Sequence, residues 1–105
     1  MPITITKENY EQEVVSSKKP VIIDVYADWC GPCQQMMPII EELEKEMTNY
    51  TFVKLNVDES RELAIQFGVT SIPTFVFLKN GEVMGKETGY ISKDDFKEKI
   101  SSLLG

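Results

Sequence analysis

Apolar positions recur along this chain with distinct periods, and each period implies a different element. Ile3 and Ile5 alternate with Thr4 and Thr6, the two-residue period of a short first strand. Thr6 stands where it can cap a following helix that carries Tyr10 and Val14 inward, and Pro20 closes that unit. Residues 21–27 are nearly continuous in apolar side chains, which fits a central strand buried on both faces and makes the carboxylate of Asp24 conspicuous. From Cys33 to about Met47, the residues Met36, Ile40, Leu43 and Met47 recur at helical spacing. Glu41, Glu42, Glu44, Lys45 and Glu46 fill the opposite face of that amphipathic helix. Pro38 lies inside it and is expected to kink it, because proline lacks the backbone donor and crowds the preceding turn.

Farther on, Phe52, Val53, Leu55 and Val57 mark a strand over residues 51–57, followed by a short helix over residues 59–67 that Gly68 terminates. Residues 74–78 and 83–88 read as two strands joined by an Asn80-Gly81 hairpin turn. Ser92 caps a last helix with Phe96, Ile100, Leu103 and Leu104 on its buried stripe, and Asp94 and Asp95 complement the dipole at its start. Three β-then-α units, a hairpin and a closing helix predict an α/β fold with a mixed sheet covered by helices on both faces. No repeat, linker or low-complexity segment interrupts the pattern, so a single domain over residues 1–105 is expected.

Composition narrows the partners. Hydrophobic residues at 42% and charged residues at 27% sit near globular averages, which argues for a chain that folds alone. The net charge of -6, from 17 acidic and 11 basic residues, repels phosphate backbones and anionic lipid, so nucleic acid and membrane are not expected partners. Met1-Pro2-Ile3-Thr4 opens without a basic stretch and apolar core, and no apolar run approaches the roughly 20 residues that span a bilayer. A soluble intracellular protein is the expectation.

The only two cysteines, in Trp29-Cys30-Gly31-Pro32-Cys33, fall where the apolar strand hands over to the long helix. A thiol attacks a disulfide as thiolate, and a helix start supplies free N–H groups and the positive dipole end to stabilise that charge. Cys30 is therefore the candidate nucleophile, and Pro32 occupies a position where its missing donor costs little. Cys33, three residues on, faces the same side and can attack a mixed disulfide formed at Cys30, which leaves an internal Cys30-Cys33 bond. A zinc site wants four ligands and an iron-sulfur cluster about four, whereas this chain has two cysteines and no histidine, so either needs carboxylates or a second chain. A purely structural disulfide would close too small a loop to restrain the unfolded chain much.

The stretch Asp24-Val25-Tyr26-Ala27-Asp28-Trp29-Cys30-Gly31-Pro32-Cys33, with Ser71-Ile72-Pro73-Thr74 and Asn80-Gly81-Glu82-Val83 downstream, resembles the thioredoxin family over essentially the whole chain. That resemblance implies a three-layer sandwich, a mixed sheet of about five strands flanked by about four helices. It implies an enzyme, a protein-disulfide reductase and dithiol electron carrier serving cell redox homeostasis. Its partners would be disulfide-containing proteins and a thioredoxin reductase that re-reduces it, with no cofactor beyond the redox-active disulfide, no metal, a monomeric state and a cytoplasmic location. The resemblance also implies a lowered pKa for the attacking cysteine, Cys30. The Gly31-Pro32 spacer points to the reducing branch.

Residue by residue, Asp24 falls on the family's aspartate that takes the proton from the second cysteine, and Lys54 matches the lysine beside it. A carboxylate in the middle of an apolar strand loses solvation, which raises its pKa. Pro73 would be trans on general grounds, since only about 5–6% of X-Pro bonds in folded proteins are cis. The resemblance reverses that expectation, with Pro73 cis against the cysteines and the backbone of Ile72 free to pair with an extended substrate. Trp29, Ile72, Pro73, Gly89 and Tyr90 would form an apolar substrate-binding shoulder, tolerant of substrate sequence because binding is mostly backbone pairing. Two departures stand out: Tyr26 replaces a usual second tryptophan, and Gln34 replaces a common lysine, whose charge would favour a thiolate. Three alternatives stay open at this point: a more oxidising or isomerase-like relative, a non-catalytic docking subunit with incidental thiols, and a metal-bridged dimer.

Overall fold

Strand β2 (Val21–Tyr26) lies at the centre of a five-stranded sheet, as its near-continuous apolar run requires. The computed structural model describes residues 2–105. The strands run in the order β1-β3-β2-β4-β5, with β1 (Ile3–Thr4), β3 (Thr51–Asn56), β4 (Thr74–Lys79) and β5 (Glu82–Thr88) around β2. β1, β3 and β2 are parallel, while β4 is antiparallel to β2 and β5 antiparallel to β4. The mixed sheet expected from the alternation of elements is thus present. Its antiparallel part is closed by a turn in which Asn80 and Gly81 both have positive φ, 54° and 78°, as a two-residue hairpin of this hand demands.

Successive residues of β2 point to opposite faces. Val21, Ile23 and Val25 join Val53, Leu55, Val76 and Leu78 on one face, under Val14 and under Leu63 and Ala64 of α2 (Arg61–Gln66). Ile22 joins Phe52, Phe75 and Phe77 on the other. That second face is covered by Met36, Ile40 and Leu43 of α1 (Gly31–Glu46) and by Phe96, Ile100 and Leu104 of α3 (Lys93–Leu104). Phe96 is the keystone there: its ring packs edge-on to Phe75 at 4.9 Å and tilted to Phe77 at 5.6 Å. Lys93 bonds Glu42 and Glu46, and Lys97 bonds Glu46, which ties the outer edges of α3 and α1 together.

Two helix ends behave as expected. Ser92 Oγ accepts from Asp95 N at 3.2 Å and caps α3. Gly68, at φ 70°, ends α2 with its N–H on Ile65 O while Val69 N bonds Ala64 O, the paired closure of a helix C-terminus. The N-terminal unit differs. It is a π-helical turn, Glu11–Val15, with Ser16 N bonded to Glu11 O, and the hydroxyl of Thr6 does not cap it. Asn9 performs that closure instead, accepting from Thr6 N at 2.7 Å and donating to Thr4 O at 3.0 Å, because an amide reaches two backbone groups at once. Helix α1 runs through Pro38 without a break.

Candidate active site

Cys30 is the residue that precedes α1, and its extended backbone turns the chain from strand to helix. Its Sγ accepts a hydrogen bond from Cys33 N at 3.2 Å, so the sulfur occupies the place that a serine or aspartate oxygen usually fills at a helix start. Pro32 sits in the first turn, where its lack of an N–H leaves no bond unmade. Cys30 and Cys33 are joined as a disulfide with their Cα atoms 5.2 Å apart. Both sulfurs are covered in this oxidised state. Cys30 is 5% exposed and Cys33 1%, because Ala27, Tyr26, Val57 and Ile72 close around the pair. Gly31 and Pro32 are exposed beside them.

Gln34 takes a structural part that its departure from lysine hid. Its Nε2 donates to Asp28 O at 3.1 Å and so pins the loop that leads into Cys30. Trp29 stands out from this loop, 71% exposed, and its Nε1 donates to Asp58 Oδ2 at 2.9 Å. Asp58 was not singled out from the sequence. The one local signal for it was Asn56 two residues earlier, whose Oδ1 accepts from Asp58 N at 2.8 Å and shapes the turn after β3.

Ile72 packs on the cysteine cluster, and the Ile72-Pro73 peptide bond is cis. Neither the N–H nor the carbonyl of Ile72 makes a hydrogen bond among the described residues. Pro73 is buried, and its carbonyl accepts from Gly89 N at 2.8 Å, which brings Gly89 and Tyr90 to the same end of the sheet. The shoulder divides, however. Trp29 and Ile72 open onto a groove of about 570 Å³ that runs along α2 past Arg61 and Ile65. Tyr90, 57% exposed, lines a separate groove between β5 and the start of α3.

Asp24 lies in the middle of β2. It is 6% exposed, pairs in register with Lys54 of β3 and Phe75 of β4, and leaves Oδ1 buried without a hydrogen bond. Burial raises its pKa to about 7, against the opposing pull of the Lys54 charge. Asp24, Lys54, Met37, Ile40 and Glu41 line a cavity of about 20 Å³, room for one water molecule. Among the described residues no group of three or more His, Cys, Asp or Glu is placed to hold a metal ion, and no helix is long and apolar enough to cross a membrane.

The arrangement can therefore exchange electrons through one dithiol pair. Comparison with known proteins agrees. The thioredoxin family profile matches residues 1–102. The chain is 38% identical over 94 residues to a thioredoxin of Mycoplasmoides gallisepticum, covering 90% of this chain and 94% of that protein. It is 39% identical over 103 residues to a thioredoxin of Alicyclobacillus acidocaldarius, with 97% of each chain covered. A chloroplastic M-type thioredoxin of Pisum sativum is 39% identical over 101 residues, 95% of this chain and 59% of the longer plant protein.

Proposed function

We infer the physiological role from the premise that this chain belongs to the thioredoxin family and is a thiol-disulfide oxidoreductase. Its Cys30-Cys33 dithiol reduces disulfides in other proteins, and a thioredoxin reductase returns the electrons. On this reading it works as a single domain over residues 1–105, as a cytoplasmic monomer in electron transport, with no cofactor other than its own disulfide.

The observation that carries the reading is the position of the Cys30 sulfur at the start of α1, accepting from Cys33 N. In the reduced protein that bond and the first-turn N–H groups favour the thiolate. The Cys30 thiolate attacks one sulfur of a substrate disulfide, the substrate S–S bond breaks, and the departing thiolate takes a proton from water. Cys33 then loses its proton to Asp24 and attacks Cys30 Sγ. The mixed disulfide breaks, the departing substrate thiolate takes up the proton that Asp24 gives back, the substrate leaves with two thiols, and two electrons have passed from this protein to the substrate. Asp24 suits that transfer because a carboxyl with a pKa of about 7 is part deprotonated at neutral pH and still binds the proton well. Lys54 tempers the cost of its charge. Trp29, Ile72, Pro73, Gly89 and Tyr90 receive the substrate, and the free backbone groups of Ile72 supply the pairing.

The test mixes reduced protein with a disulfide-bonded test protein and follows thiol release. Cys30→Ser is expected to give no turnover, and Cys33→Ser to trap a covalent adduct. Undiminished turnover by Cys30→Ser would overturn the assignment.

A further inference from the structure

Building on the reading of Asp24 as proton acceptor, we propose that Tyr26 is a positioning residue whose ring holds the Lys54 ammonium beside Asp24 and links that charge to the packing of the cysteine pair. Tyr26 ends β2 two residues after Asp24, so the two side chains share a face. Lys54 is the register partner of Asp24 on β3, and its Nζ stands over the Tyr26 ring, 5.6 Å from the centroid. Among the described residues that ammonium makes no hydrogen bond and no ion pair, so the ring face is its partner. Tyr26 also packs against Ala27, Cys30 and Cys33. One residue thus meets both the cation and the disulfide cluster.

Lys54 is half-buried, and an ammonium in that position has given up part of its hydration. A ring within about 6 Å compensates through its quadrupole. Without it, the four-carbon stem is free to carry the charge out to water, as lysine stems do at apolar surfaces. Among the described residues the charged and titratable groups that face Asp24 are few: Lys54 from β3, Glu41 from α1 across the small cavity and Tyr26 on its own strand, joined on the proposed mechanism by the Cys33 thiol of the reduced protein, while β4 presents Phe75. Lys54 is the one cation among these described groups, so its placement sets how far the effect of burial on Asp24 is offset. Among the described residues the hydroxyl of Tyr26 makes no hydrogen bond, which assigns the work to the ring rather than the phenol oxygen.

The experiment follows the titration of Asp24 by carbon NMR of its carboxyl group in the full-length protein. Tyr26→Leu is expected to move the midpoint up by about half a pH unit, and Tyr26→Phe to leave it in place. In a Lys54→Met background, Tyr26→Leu is expected to move nothing further, since the cation it positions is gone. Should Tyr26→Leu fail to fold, Tyr26→Met carries the same comparison. An equal shift from Phe and Leu, or an undiminished Leu shift without Lys54, would overturn the proposal. The pH profile of the Cys33 attack is measured in parallel. A midpoint that moves while this profile stays fixed supports the positioning role of Tyr26 and refutes instead the reading of Asp24 as the base.

Discussion

Cys33 points its backbone N–H at the Sγ of Cys30 across 3.2 Å, so the second cysteine helps to hold the charge of the first before it displaces it. In the reduced protein this contact stabilises a thiolate far more than a thiol, whose sulfur accepts only weakly. Cys30 is accordingly expected to alkylate first, with an apparent pKa clearly below the ordinary value of about 8.5, and Cys33 to react at least tenfold more slowly at pH 7. Iodoacetamide labelling with peptide mapping across pH 5–9 measures both. Two thiols of equal reactivity would remove the basis of the mechanism.

Asp24 should lower stability at neutral pH. Its folded pKa is about 7 against an ordinary 3.8, so between those values the folded protein binds more protons than the unfolded chain, and stability falls as pH rises. The penalty is absent below about pH 4 and complete above about pH 7, where it amounts to roughly 4 kcal/mol. Asp24→Asn is expected to match the parent near pH 4 and to exceed it by a few kcal/mol at pH 8. Urea unfolding at both values checks this, and an unchanged difference between them would refute it.

The same carboxylate sets a kinetic profile. Resolution of the mixed disulfide by Cys33 is expected to accelerate as pH rises through about 7, where Asp24 becomes able to accept a proton. Asp24→Asn should slow that step about 10² to 10⁴-fold at pH 7, the usual worth of a positioned base. Stopped-flow mixing with a disulfide substrate resolves the step, and a rate at pH 7 equal to the parent's would exclude Asp24 as the base.

Asp58 fixes the indole of Trp29 by a single exposed hydrogen bond. Asp58→Ala is expected to cost less than about 1.5 kcal/mol of stability, since an exposed bond is readily replaced by water. It should nevertheless raise KM for a protein disulfide several-fold, because a mobile ring no longer presents one contact surface. Steady-state reductase assays beside thermal melts separate the two effects, and an unaltered KM would show that Trp29 needs no fixing.

Phe96 is fully buried between Phe75 and Phe77. Phe96→Ala is expected to cost about 3–5 kcal/mol through lost burial and the cavity left behind. Much of a stability of roughly 5–15 kcal/mol would go with it. Denaturant unfolding at pH 7 reads this directly; a loss under 1 kcal/mol would mean that α3 contributes little to the core.

The local elements were legible because local chemistry dictates them. The apolar run of β2, the stripe of α1, the Asn80-Gly81 turn, the Gly68 terminus and the Ser92 cap each depend on residues within one or two turns of each other, and each stands where the pattern put it. The two cysteines were equally plain from their spacing after a strand. Thr6 misled because the competing amide of Asn9 reaches both Thr6 N and Thr4 O. The cis bond before Pro73 came from family likeness alone, since nothing in the flanking residues outweighs the general preference for trans. The strand order, the covering of Cys30, the hold of Asp58 on Trp29 and the seat of Lys54 on Tyr26 lay beyond any local reading. Each joins groups that are distant along the chain, and periodicity and capping carry no information about which distant groups meet. Only the packing of the sheet against its helices decides that, by burying as many apolar side chains as possible at once and leaving the polar groups whatever neighbours remain.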